Sequence, residues 1–182
     1  MTLSRSERWV ASVLLVAVVL IAAGTLTPSW VADGKGEDSV GPLVRQLCGT
    51  VDLGSHHRSL HTCRPWPWSE LPYGATVHVL AALSALGALA SALCALARSI
   101  RVRLRRDGAP PAALAYAIYA ATLAAMVGFA LHARFDITGV RFGWSGAVAI
   151  GGVILAIVGQ TAAGRLEPPP PPTQLPIARR LE

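Results

Sequence analysis

Two cysteines, Cys48 and Cys63, stand with fourteen residues between them in a polar stretch that also holds His56, His57 and His61 and runs into Pro65-Trp66-Pro67-Trp68. Thiols and imidazoles so placed offer three chemistries: a disulfide, a metal site, or thiol–disulfide exchange. In an oxidising compartment a disulfide is the default for such a pair. Closing a loop of about 15 residues contributes roughly 3 kcal/mol in the chain-entropy picture. Free thiols, or a pair formed between chains, are the alternatives. Imidazole and thiolate are good zinc ligands, but a disulfide takes Cys63 out of any ligand set and no carboxylate sits at a completing spacing, so the histidines read as a solvated loop and no metal is expected. Exchange chemistry usually uses a CxxC pair, which is absent. The chain also lacks a serine-nucleophile motif, a phosphate loop and paired carboxylates, and we expect neither catalytic residues nor a cofactor. It contains no asparagine, which excludes N-glycosylation.

The elements that must position these residues are apolar. The 182 residues are 53% hydrophobic and 14% charged, against roughly 25% charged in a soluble domain. Four runs free of Asp, Glu, Lys and Arg are long enough to cross about 30 Å of hydrocarbon: Trp9 to Thr27, Gly74 to Ala97, Ala112 to Leu131, and Trp144 to Ala163. The first follows Arg5 and Arg8 and contains Ala22-Ala23-Gly24, features shared with cleavable signal peptides, but it is longer than a usual signal core and reads as a retained helix.

Charge sets the threading. The net charge of +6 is concentrated in residues 98–111, where Arg98, Arg101, Arg103, Arg105 and Arg106 face only Asp107. Short arginine-rich connections stay in the cytoplasm. The expected order is therefore a cytoplasmic segment 1–8, an outer loop 28–73, the basic inner loop 98–111, a second outer connection 132–143 and a cytoplasmic tail 164–182, in the plasma membrane. These arginines abut spans and read as topology signals with weak attraction to anionic lipid, not as a nucleic-acid surface.

Within the outer loop we expect short strands around Val40 to Val51 and near Leu60 to Arg64, because an unstructured loop of such length is unusual. Pro28 stops the first helix, and Trp30 suits a membrane interface. Small residues recur at spacings of four in span two (Ala81, Ala85, Leu89; Gly87, Ser91, Ala95). Span four, with its entry, carries Gly143, Gly146, Gly151, Gly152 and Gly159. Such faces let helices approach closely in lipid, and we expect them to be the lateral contacts. Gln160 is expected to hydrogen-bond across helices, and His78 and His132 to be structural. Asp136 pairs with Arg134 or Arg141 at the surface. Cys94 is an apolar packing residue or a palmitoylation site. The run Pro168 to Pro172 is polyproline II, a stiff spacer or a dock for an SH3 or WW domain.

The pattern resembles the claudin superfamily, which takes in claudins, peripheral myelin and epithelial membrane proteins, and calcium-channel gamma subunits. Trp30 in Thr27-Pro28-Ser29-Trp30 looks like the family's first loop tryptophan, and Cys48 and Cys63 look like its cysteine pair. Gly41 and Leu43 are similar to the family's Gly-Leu-Trp stretch before the first cysteine, with Val44 where the tryptophan stands. Phe142-Gly143-Trp144-Ser145 is similar to the family's aromatic-Gly-Trp-Ser entry into span four. The resemblance implies a left-handed bundle under a small antiparallel sheet stapled by Cys48 and Cys63. It also implies work without catalysis, in cell contact or in association with a channel or receptor.

The expectation is an all-α membrane protein: a four-transmembrane-helix bundle with a small disulfide-stapled extracellular β-sheet. It would act by lateral association with itself or another integral membrane protein. The rival class is a membrane thiol-disulfide oxidoreductase using Cys48 and Cys63.

Overall fold

The computed structural model describes residues 3–32, 39–52, 59–65, 74–104, 111–135 and 141–166. Four long helices account for most of them: α1 (Arg5–Leu26), α2 (Ala75–Leu104), α3 (Ala112–Phe135) and α4 (Trp144–Leu166). All four are long and apolar enough to cross a membrane. Each helix outruns the apolar run inside it, or matches it at one end, because helix formation and hydropathy obey different rules. At the start of α1 a capping box does the work: Ser4 Oγ accepts from the Glu7 amide and Glu7 Oε2 accepts from the Ser4 amide at 2.7 Å. At the far end of α2 the arginines, good helix formers, carry the helix on to Leu104, about 45 Å from its start at 1.5 Å per residue. Pro28 ends α1, and the Thr25 hydroxyl donates back to the Ile21 carbonyl in its last turn.

Five short strands form one antiparallel sheet: β1 (Val31–Ala32), β2 (Ser39–Val40), β3 (Arg45–Asp52), β4 (Ser59–Pro65) and β5 (Arg141–Phe142), in the order β4-β3-β2-β1-β5. The two long strands fall where the sequence places strands. The three two-residue strands do not announce themselves, since two residues show no alternation. They exist because β1 leaves α1 directly and β5 leads directly into α4, so the packing of those two helices brings Val31 opposite Phe142 and Ala32 opposite Arg141.

α1 is the centre of the bundle, packed most extensively on α4 and then on α2, while α3 leans on α2 and meets α4 more thinly. The core runs along it through Leu14 and Ile21 and continues into Tyr119, Met126, Phe129 and Val153. The α1–α4 contact is a backbone-to-backbone approach. A Cβ on Gly24 would stand 2.5 Å from the Ala149 nitrogen, and one on Gly152 would stand 2.8 Å from the Ile21 nitrogen.

The small-residue faces of spans two and four, expected to be lateral contacts, are for the most part packed inside the described bundle, with Gly151 and Leu89 left on its outside. Gly87 leaves room for Thr122, whose hydroxyl also meets Ser91 Oγ at 3.0 Å, and Ala95 is buried. Gly146, Gly152 and Gly159 receive Trp30, Ile21 and Leu14. What faces outward is large and apolar instead, including Val19 at 63% and Leu86 at 65% exposure, with Leu83, Leu89 and Leu93 along one side of α2.

Candidate functional site

Trp30 joins the bundle to the sheet. Its side chain is 1% exposed, so it is a core residue and not the interfacial anchor that its position after Pro28 suggests. The indole Nε1–H donates to the Gly24 carbonyl at 2.6 Å, satisfying one of the carbonyls that the end of α1 leaves without a helical partner. Its ring meets Phe129 of α3 edge-on, centroids 5.8 Å apart at 67°, a favoured aromatic geometry. On the α4 side it lies over Gly146, where an added Cβ would come within 3.3 Å of the ring.

The backbone closes the same joint. The Trp30 carbonyl accepts from the Gly143 amide at 2.8 Å. Any side chain on Gly143 would collide with the Ser29 carbonyl oxygen, so glycine is the one residue that fits between β5 and α4. Ser145, next along, is fully buried. The structure thus brings Trp30 and Gly143-Trp144-Ser145 together from opposite ends of the chain, while Phe142 and Trp144 point outward at 51% and 61% exposure. An apolar cavity of about 250 Å³ opens between α3 and α4 at this level, with Trp30 and Phe142 in its wall.

Gly41 has a parallel role on the other side of the sheet. Its amide donates to the Val44 carbonyl at 2.9 Å, and a Cβ there would reach the Thr27 carbonyl oxygen at 2.7 Å. The turn it makes exposes Leu43, which overhangs a cavity of about 190 Å³ between α1 and α2.

Cys48 and Cys63 are directly opposite each other in the β3–β4 ladder and are disulfide-bonded, with Cα atoms 4.1 Å apart. The staple crosses a register of seven paired residues, Gln46 with Pro65 through to Asp52 with Ser59. Arg45, at the root of β3 and paired with Val40, was not singled out from the sequence. It is 9% exposed, and burial pushes its guanidinium below the usual range. A lone arginine beside a cysteine motif carries no periodic signal that would have marked it.

At the opposite end of the bundle the arginines divide. Arg98 is buried at 3% exposure and lies within electrostatic reach of Tyr119, whereas Arg101 is half-buried and Arg103 exposed. Arg98 is thus inside the helical bundle, not in a loop beside it, because α2 continues past Ala97. Arg105 and Arg106 lie outside the described residues, as do His56, His57, Asp136 and Pro168 to Pro172. Among the described residues, no cluster of three His, Cys, Asp or Glu is arranged to hold a metal.

Cys94 is a buried free thiol. Gln160 is buried too, but its carbonyl oxygen finds no hydrogen-bond partner among the described residues. Cross-helix hydrogen bonds are made by Ser91 with Thr122 and by Tyr116 with Thr161, the latter at 2.9 Å. The ring Nδ1 of His132 pairs with the Gly128 carbonyl at 2.9 Å on its own helix. No family model matches the chain, and no curated protein matches it in sequence.

Proposed function

We propose that this chain is a claudin-like multi-pass protein of the plasma membrane, with both termini in the cytoplasm and the stapled sheet outside. It acts by lateral association with itself or with another integral membrane protein, as a junction or adhesion component or as an auxiliary subunit of a channel or receptor. The observation that carries this reading is the joint at Trp30. The two residue patterns that resemble the claudin superfamily, one leaving the first helix and one entering the fourth, form a single packed node beneath a sheet that holds the cysteine pair. Such a node fixes the sheet rigidly to the helices, as a recognition surface requires.

Two further facts support it. The large apolar side chains around the helices face outward in continuous rows, an arrangement that water does not tolerate over large areas but lipid does. The arginines of α2 gather at the end away from the sheet, the distribution that keeps that end in the cytoplasm. The staple lies in the middle of a paired ladder, so the reading gives it a structural and not a redox task. Since most of the small residues are used by internal packing, the lateral surface is assigned to the leucine row of α2 and to the rim formed by Phe142 and Trp144.

Photo-crosslinking amino acids at Leu86 and Trp144, activated in native membranes, test the proposal. The expected result is an adduct of discrete mass at one position or both, identified as a second copy or a distinct membrane protein. Lipid adducts alone at both positions would contradict it.

A further inference from the structure

Among the described residues, three grooves on the sides of the bundle differ in what lines them. The two near the sheet have no charged side chain in their walls, and the hydroxyl of Thr25 in one of them is turned back to the Ile21 carbonyl. The third lies between α1 and α4 at the end away from the sheet, with a volume of about 520 Å³, within the range of sites that bury a small ligand. Its walls are sorted. Val10, Ile157, Val158 and Ala162 make a mainly apolar trough along the helices, in which the Thr161 hydroxyl donates to the Ile157 carbonyl, and at the end of α4 it is bounded by Arg165, with Ser6 and Trp9 opposite on α1.

That sorting fits an amphiphile with an anionic head. Arg165 and the indole N–H of Trp9 make no hydrogen bond or ion pair with the described residues, and both side chains are exposed. Arg5 and Arg8 flank Ser6 and Trp9 on the same turns of α1. The only acidic residue in that first turn, Glu7, directs a carboxylate oxygen to the Ser4 amide. Among the described residues the charge around the mouth of the groove is therefore mainly cationic, and a guanidinium presents paired N–H groups suited to a phosphate. An indole at the level where apolar wall gives way to charge is the side chain that the headgroup region favours. A neutral lipid would leave the cationic mouth unmatched, and a free anion would leave the trough empty.

We propose that the α1–α4 groove holds one anionic phospholipid of the cytoplasmic leaflet, an acyl chain in the trough and the phosphate at Arg165 and Trp9. This rests on the membrane reading given above. One lipid seated there would fill the open side of the α1–α4 contact on which the bundle is centred.

The test uses the full chain in nanodiscs of equal phosphatidylglycerol and phosphatidylcholine, followed by native mass spectrometry of retained lipid. One phosphatidylglycerol is expected to be retained in preference to phosphatidylcholine. Arg165→Gln should lower that retention about fivefold, the effect of one arginine at an anionic surface. Ala162→Trp, which fills the trough, should abolish it, and Arg103→Gln, removing an exposed arginine at the same end, should leave it unchanged. Equal retention of the two lipids, or an equal loss in Arg103→Gln and Arg165→Gln, would overturn the site. A protein that stays in solution without detergent and does not enter vesicles would overturn the membrane reading as well. One that enters vesicles but retains no phosphatidylglycerol would overturn the groove alone.

Discussion

At the scale of single residues, Trp30 has the largest consequence for its size. It occupies a slot bounded by Gly24, Phe129, Gly143 and Gly146, where it joins α1, α3, α4 and the sheet at one point. Trp30→Ala empties that slot and is expected to cost about 3–5 kcal/mol. Trp30→Phe keeps an aromatic ring and most of the volume but removes the indole donor to the Gly24 carbonyl, for about 1–2 kcal/mol. Reversible unfolding in detergent measures both, and equal losses for the two variants would show that the indole hydrogen bond, and not the filled volume, is what matters. The sequence marks Trp30 and Gly143 as motif residues, but a tryptophan after a proline at the end of an apolar run reads as an interfacial anchor. Its burial depends on two glycines more than a hundred residues further along, and no local window contains that information.

At the scale of elements, helices and strands were legible to different degrees. The four helices follow from the length of the apolar runs, and β3 and β4 from the loop length and the cysteine pair. By contrast, β1, β2 and β5 are consequences of tertiary packing, and the helix ends depend on a capping box and on arginine's helix propensity, neither of which hydropathy reports. The small-residue lines of α2 and α4 mark faces that pack closely for most of their length, yet composition does not say whose helix they pack against. The disulfide belongs to this scale as well. Its loss in Cys63→Ser should destabilise the β3–β4 ladder by roughly 3 kcal/mol and leave the bundle intact, because no helix depends on the staple for its packing. Amide hydrogen exchange would read this as faster exchange confined to Arg45–Asp52 and Ser59–Pro65. Acceleration spreading equally into α1 and α4 would mean that sheet and bundle unfold as one unit, against the picture of a staple local to the sheet.

For the whole molecule, the arrangement is polar and disulfide-bonded at one end, arginine-rich at the other and apolar between. That polarity along the helices is what the proposed threading uses, with the basic end inside and the sheet outside, where a disulfide persists. The proposed lateral association uses the outward apolar rows, and the proposed lipid groove uses the cationic end of α1 and α4. Each of these depends on the orientation being right. The most direct measurement is therefore side-specific tagging of Cys48 and Cys63 in intact cells, with a membrane-impermeant reductant and an impermeant mass tag. The account predicts no tag before reduction and two tags per chain after it, added from outside, with the buried Cys94 untouched. Two tags without reduction, or none until the membrane is permeabilised, would contradict it.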